Sequence, residues 1–274
     1  MADAWARAHE AARAAGVELR PMGSVADAGP IGGVIAATWG EQPIGPEIVR
    51  ALAASGNAPI GAFDGDRLIG FVLGWAGVDD DGLHVHSHML ATLPERRHAG
   101  VGYALKLAQR AQALDAGIPL VRWTFDPLVA RNAYFNLTKL GAVADRFERD
   151  YYGEMSDDLN RGDRTDRFTV RWDLEPDPAD RQATSATADA PVVLRRDGPE
   201  DRPSPGLASA ARDDVALVEI PADYAAVRAA DVDLARRWRD AVAEAVERCL
   251  SRGMVASGFD RVRSAYLVTT AERA

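Results

Sequence analysis

The chain is poor in cysteine and lysine and has no long apolar run. Its single cysteine, Cys249, excludes an intrachain disulfide and a cysteine-based zinc site. No apolar stretch approaches the roughly 20 residues of a membrane helix, so no membrane partner is expected. Residues 1–16 lack a basic-then-apolar leader, which argues against secretion and for a cytoplasmic location. Basic residues number 32 against 41 acidic ones, a formal charge of -9. No nucleic-acid partner is expected from that balance, although a local basic patch could still hold an anion. Only Lys106 and Lys139 are lysines; the other basic residues are arginines. Of the five histidines, His84, His86, His88 and His98 fall within fifteen residues of one another.

Along the 274 residues, the apolar period changes several times. Residues 2–15 read as an Ala-rich helix stopped at Gly16, followed by a short strand over 17–20. A glycine-weakened helix over 24–39 and a second helix from Pro46 to Gly56 come next. Residues 59–63 and 68–75 around Asp64-Gly65-Asp66 form a hairpin signature, and 83–92 is a further strand. Val101, Ala104, Leu105, Ala108 and Ala111 mark a buried helix face over 101–116. A strand over 120–125, a helix over 130–140 and strands over 142–152 and 168–174 follow. Residues 175–206, rich in Pro, Asp and Ala, read as a linker. The tail, 207–274, reads as a strand over 215–220, an amphipathic helix over 231–250 and a strand over 265–269. Those elements cannot bury a core alone, so the tail should pack on residues 1–174 or on another subunit, a homodimer being one arrangement.

The segment Pro94-Glu95-Arg96-Arg97-His98-Ala99-Gly100-Val101-Gly102-Tyr103 joins a strand to a helix. Gly100 and Gly102 let several N–H groups turn the same way, the helix N-terminus adds its positive end, and the arginines add charge. This is a pyrophosphate cradle on physical grounds. A dinucleotide fingerprint would need a glycine where Leu105 stands, and a Walker loop would need Gly-Lys-Ser/Thr.

Arg97-x-x-Gly100-x-Gly102 resembles the acyl-CoA pyrophosphate loop of the GNAT N-acetyltransferase superfamily. Residues 17–174 also follow that superfamily's order of elements, and Asn132 to Gly141 resembles its fourth-helix motif. The C-terminal extension resembles a longer bacterial subgroup. The resemblance implies an α/β (α+β type) fold, with a mixed, largely antiparallel sheet splayed at its centre. It implies acetyl-CoA or another acyl-CoA as cosubstrate, with no metal, and a small-molecule primary amine as acceptor. Leu90, Ala91 and Thr92 would hold the pantetheine arm. Arg97, His98, Ala99, Gly100, Val101, Gly102 and Tyr103 would hold the phosphates, and Asn132 would orient the pantetheine or a water. One departure stands out: where many members have a tyrosine acid, this chain has Leu137. Tyr134, a residue of the closing strands, or no protein acid at all could fill that role. A non-catalytic acyl-CoA-binding or regulatory protein is the alternative reading.

His84, His86 and His88 alternate, which predicts one shared face of a strand. Residues i and i+4 of a strand stand about 13 Å apart, too far for one zinc, though two of them could chelate with a third ligand from elsewhere. A base for an ammonium nucleophile needs a pKa near 7, which histidine offers. His86 and His88 are therefore the candidate catalytic residues, with His84 too remote. The charged loop 154–167 reads as solvated or as an acceptor-recognition segment.

Overall fold

Alanines spaced four apart make the first contact of the fold. In the computed structural model, which describes residues 2–40, 44–97, 99–157, 160–175, 190–198, 202–206 and 214–270, helix α1 is Ala2–Ala14. Its buried Ala4, Ala8 and Ala12 lie on the side that packs on α4, Val101–Asp115, where Ala104, Ala108 and Ala111 are buried. Methyl side chains let two helices approach closely. Trp5 Nε1 donates to Asp115 Oδ2 at 2.6 Å across the pair.

The contacts divide the chain into two units, Met1–Trp123 with Ser156–Leu159, and Thr124–Met155 with Asn160–Ala274. The first unit therefore ends inside a strand, at Trp123 of the segment Leu120–Phe125.

Unit 1 holds strands β1 (Glu18–Pro21), β2 (Ile60–Asp64), β3 (Arg67–Asp79), β4 (Gly82–Thr92) and the start of β5 (Leu120–Phe125), in that spatial order. The first four pair antiparallel, while β4 and β5 pair parallel. The turn into β4 is possible because Gly82 has φ 92°. Helices α2 (Ala28–Trp39) and α3 (Pro46–Ala54) complete the unit, and Ile31, Ile35, Phe71 and Leu105 form part of its core.

Unit 2 holds helix α5 (Ala130–Ala133), β6 (Val143–Glu148), β7 (Arg167–Asp173), β8 (Val192–Asp197), β9 (Arg202–Pro205), β10 (Val215–Glu219), α6 (Tyr224–Ala230), α7 (Val232–Leu250), β11 (Met254–Asp260) and β12 (Ala265–Thr270). Its strands lie in the order β7-β6-β11-β12-β10-β8-β9. Helix α7 starts on Asp231, whose carboxylate accepts from Leu234 N at 2.8 Å. It buries Leu234, Trp238, Val242 and Cys249.

The expected α+β class with a mixed, largely antiparallel sheet holds. Three local expectations change. The helix over 130–140 is one α turn followed by a π-helical segment, Tyr134–Lys139, in which Leu140 N reaches back to Phe135 O at 3.0 Å. The apolar positions fit both pitches, so periodicity alone does not separate them. Residues 175–206, expected as a linker, include β8 and β9, because Val193 and Leu194 are buried and β8 pairs parallel with β10. Most of the remaining linker lies outside the described residues. Strand β11 was not expected at all; it pairs with β12 along its length and with β6 at Ala256↔Ala144.

Candidate active site

The sequence pattern directs attention to β4 and the loop after it, both in unit 1. Strand β4 does not run straight. Leu73 pairs with Met89 but Gly74 pairs with Ser87, so His88 is an extra residue, a β-bulge. The bulge changes which residues face α4. Ser87 Oγ accepts from Lys106 Nζ of α4 at 2.7 Å, yet three residues on Leu90 stands 3.8 Å from where a Cβ at Gly102 would lie. Without the extra residue those two positions would face opposite sides. Gly74 is required opposite the bulge, since a Cβ there would come within 2.5 Å of His86 O.

The β4–β5 ladder is short. Val85 pairs with Val121 and His86 with Arg122, and no later residue of β4 pairs with β5 among the described residues. From Ser87 onward the edge of β4 on that side has no strand partner among the described residues. This is the splay expected within the sheet, seen here in unit 1. Along the open edge Ala91 is buried, while Leu90 and Thr92 are half-buried.

His86 and His88 meet Trp75 of β3. The His86 ring lies 5.1 Å from the Trp75 ring and the His88 ring 5.0 Å from it, with 5.9 Å between the two imidazoles. Burial holds the His86 pKa below its ordinary value, and the nearby His88, His84 and Lys106 push it the same way. Burial also lowers that of His88, the more exposed of the two rings. His84 is apart from this cluster: it is buried, with Nδ1 3.1 Å from Gly82 O and 3.5 Å from Asp79 Oδ1 at the β3–β4 turn. Among the described residues no three side chains of metal-binding type converge.

After β4 the chain makes one 3-10 turn, Pro94–Arg96, and enters α4 through Gly100, whose φ of 86° is left-handed. Among the described residues no side chain caps α4. The N–H groups of Gly100, Val101 and Gly102 find no acceptor among the described residues. Arg96 and Arg97 part company here. Arg96 is tied down, donating to Asp64 Oδ2 at 2.9 Å and to Ala15 O at 3.0 Å. Arg97 is exposed, and its guanidinium has no hydrogen bond or ion pair among the described residues. The arrangement can hold a multiply charged anion by amides, helix end and one unengaged cation. Ala99 is exposed, Val101 is buried in the core and Tyr103 is half-buried, so any part these take is through the backbone for the first two. His98 lies outside the described residues.

Other expected positions belong to unit 2. Asn132 is half-buried on α5. Leu137 is buried in the π segment, and Tyr134 carries the Arg261 guanidinium 4.7 Å from its ring centroid. The later part of the loop 154–167 is engaged within the fold. Arg164 pairs with Asp166 and Asp240, Arg167 donates to Asn160 Oδ1 at 2.7 Å, and Asp163 accepts from Arg239 and Tyr224. These four charges are matched inside the fold, while Glu154 and Arg161 are exposed.

The sequence reasoning passed over Trp75, Ser87 and Lys106. A signal existed for the first two: Gly70 and Gly74 interrupt an otherwise apolar strand, which often marks a bulge or a close backbone approach.

No family model matches the chain, and no curated protein matches it. Solved structures do resemble it. Naa20 from Chaetomium thermophilum, in complex with a bisubstrate analogue, is 20% identical, over 60% of this chain and 90% of that one, with a TM-score of 0.48. The acetyltransferase of the GNAT family from Streptococcus pneumoniae is 13% identical, over 57% and 98%, at 0.47. The ribosomal-protein-S18-alanine N-acetyltransferase from Escherichia coli is 13% identical, over 58% and 94%, at 0.46.

Proposed function

We propose that the chain is an acyl-CoA-dependent N-acyltransferase acting on a primary amine of a small molecule. The observation that carries this reading is a conjunction within unit 1. An uncapped helix end with an unengaged arginine follows directly on a strand with an open edge, and that strand bears two imidazoles of lowered pKa.

Each part has a chemical use. Arg97 and the amides of Gly100, Val101 and Gly102 fit the pyrophosphate of CoA. The open peptide edge over Leu90–Thr92 fits the amide groups of a pantetheine arm in the manner of an added strand, and its N–H groups are suited to polarising a carbonyl. The amine must lose a proton as its nitrogen bonds to the acyl carbon and the carbon–sulfur bond breaks. An imidazole that is neutral at pH 7 can take that proton, and His86 or His88 is assigned to do so. Acetyl is the acyl group favoured by the resemblance of the loop.

The test is direct: bind CoA to the full chain by calorimetry, then follow CoA release from acetyl-CoA with a panel of amines. Binding with amine-dependent release is expected. No binding would overturn the reading, and binding without release from any amine would favour an acyl-CoA-binding or regulatory protein, a role consistent with the leucine at 137.

A further inference from the structure

Lys106 is one of only two lysines in the chain, and it is among the most completely buried large side chains, at 2% exposure. Among the described residues no carboxylate pairs with its amine. Nζ donates to Ser87 Oγ at 2.7 Å and to Gln109 Oε1 at 3.1 Å, and it lies 3.8 Å from the centroid of the Trp123 ring. Burying an amine with so little compensation is unfavourable, and an apolar side chain of similar length would suit the core better. Something other than stability keeps it there.

Its position suggests what. The last pair joining β4 to β5 is His86↔Arg122. Ser87 and Trp123 are the next residues of the two strands, the point at which they part. The amine touches one residue from each. Ser87 is also the residue that opens the bulge, between His86 and His88. We propose that Lys106 is a positioning residue of the candidate active site: its amine bridges β4 and β5 at their fork and fixes the bulge that sets His86 and His88 against Trp75. This rests on the acyl-transfer reading only for its kinetic consequences.

The same amine acts on His86 through charge. Burial lowers its pKa to about 7, so it is substantially protonated in the range where His86 titrates, below 6.5. A cation there disfavours imidazolium. The other charged or titratable groups near His86 are His84 and His88 on β4 and its register partner Arg122 on β5, and α4, packed on β4, also carries the buried Arg110 one turn from Lys106. Arg122 pairs with Asp81, and Asp79 lies 4.0 Å away. Trp75 on β3 and helix α2 offer nothing that titrates.

Lys106→Met, Ser87→Ala and the double variant test this in the full chain. Three readouts are needed: melting temperature, steady-state kinetics, and the NMR titration of the histidine rings, of which there are only five. Lys106→Met should fold with an equal or higher melting temperature, most clearly at and below pH 7 and progressively less as pH rises past 10.5, where the unfolded parent amine also loses its proton. Its kcat should fall by about 10- to 100-fold while KM for acyl-CoA stays within a few fold. The His86 midpoint should rise by about half a pH unit or more. Ser87→Ala should lower kcat with the midpoint unmoved, and the double variant should be no worse than Lys106→Met. A kcat equal to the parent's in Lys106→Met overturns the proposal. So does a loss of kcat that merely follows a lower melting temperature with an unmoved His86 midpoint. If neither parent nor variants release CoA, the acyl-transfer reading has failed; the His86 midpoint and ring contacts then decide the positioning role by themselves.

Discussion

Arg96 and Arg97 are neighbours with opposite employment. The first is held by Asp64 and the Ala15 carbonyl, so its loss should loosen the packing of the α1 end and lower stability. The second is unengaged among the described residues, so Arg97→Ala should leave stability within about 0.5 kcal/mol and weaken CoA binding by about 10- to 100-fold. Calorimetry and a denaturant titration on the two variants separate these outcomes. At the imidazoles the sign is set by burial. A lowered pKa means the neutral base predominates above a value below 6.5, so the rate should rise with pH through that lower value and then level. Alanine at whichever of His86 and His88 is the base should cost about 10² to 10⁴ in kcat and remove that rise. A rate independent of both histidines from pH 5 to 8 would send the proton elsewhere.

Among the elements, β4 with its bulge decides the site, and its register depends on one glycine of β3. Gly74→Val would drive a Cβ against His86 O and Gln109 Nε2, at 2.5 and 3.0 Å. The expected result is a displaced His86–Trp75 pair and a lowered kcat, with CoA affinity kept because the loop is untouched. Near-parental kcat in a folded Gly74→Val protein would show that the bulge is dispensable. Much of this region was legible beforehand. The alternation of His84, His86 and His88 marked the strand, and Arg97, Gly100 and Gly102 marked the loop by their chemistry. Gly70 and Gly74 hinted at an irregularity in β3, but the place of the bulge was not legible, because a register shift belongs to a pair of strands and β3 had to be laid beside β4 to reveal it. Strand β11 escaped for a related reason. Ser257 and Gly258 in its middle read as turn residues, and the strand exists because β12 pairs along it and β6 meets it at Ala256, with a register shift at Ser257.

On the scale of the whole molecule, unit 2 is tied together by a buried ion network. Arg239 of α7 donates to Asp126 Oδ1 at 2.7 Å and to Asp163 Oδ2 at 2.5 Å, with Tyr224 against its face at 4.8 Å. Burial opposes the Arg239 charge, and the two carboxylates more than offset it. Burial likewise pushes Asp163 upward, but Arg239, Tyr224 and Arg228 bring its pKa below the usual 3.8. Arg239→Ala should take the nearest cation from both carboxylates, leaving Arg167 beside Asp126 and Arg228 and Tyr224 beside Asp163, and cost about 3 kcal/mol, read from urea unfolding at pH 7. The Asp163 contribution is present in full above its unfolded pKa and is lost as pH falls through the lower folded one. The acid limb of the parent's stability profile should therefore be shallower in Asp163→Asn.

The pairing of β6 with β11 also orders events in time. Ala144 must wait for Ala256, about 110 residues later in the chain, while the strands of unit 1 precede Thr124. At about 5–20 residues per second of synthesis, β6 stands with one edge unpaired for several seconds to about 20 seconds. On the ribosome, unit 1 can therefore gather first, and the nascent chain passes through an interval in which the β6 edge is open to strand pairing with another copy or to capture by a chaperone.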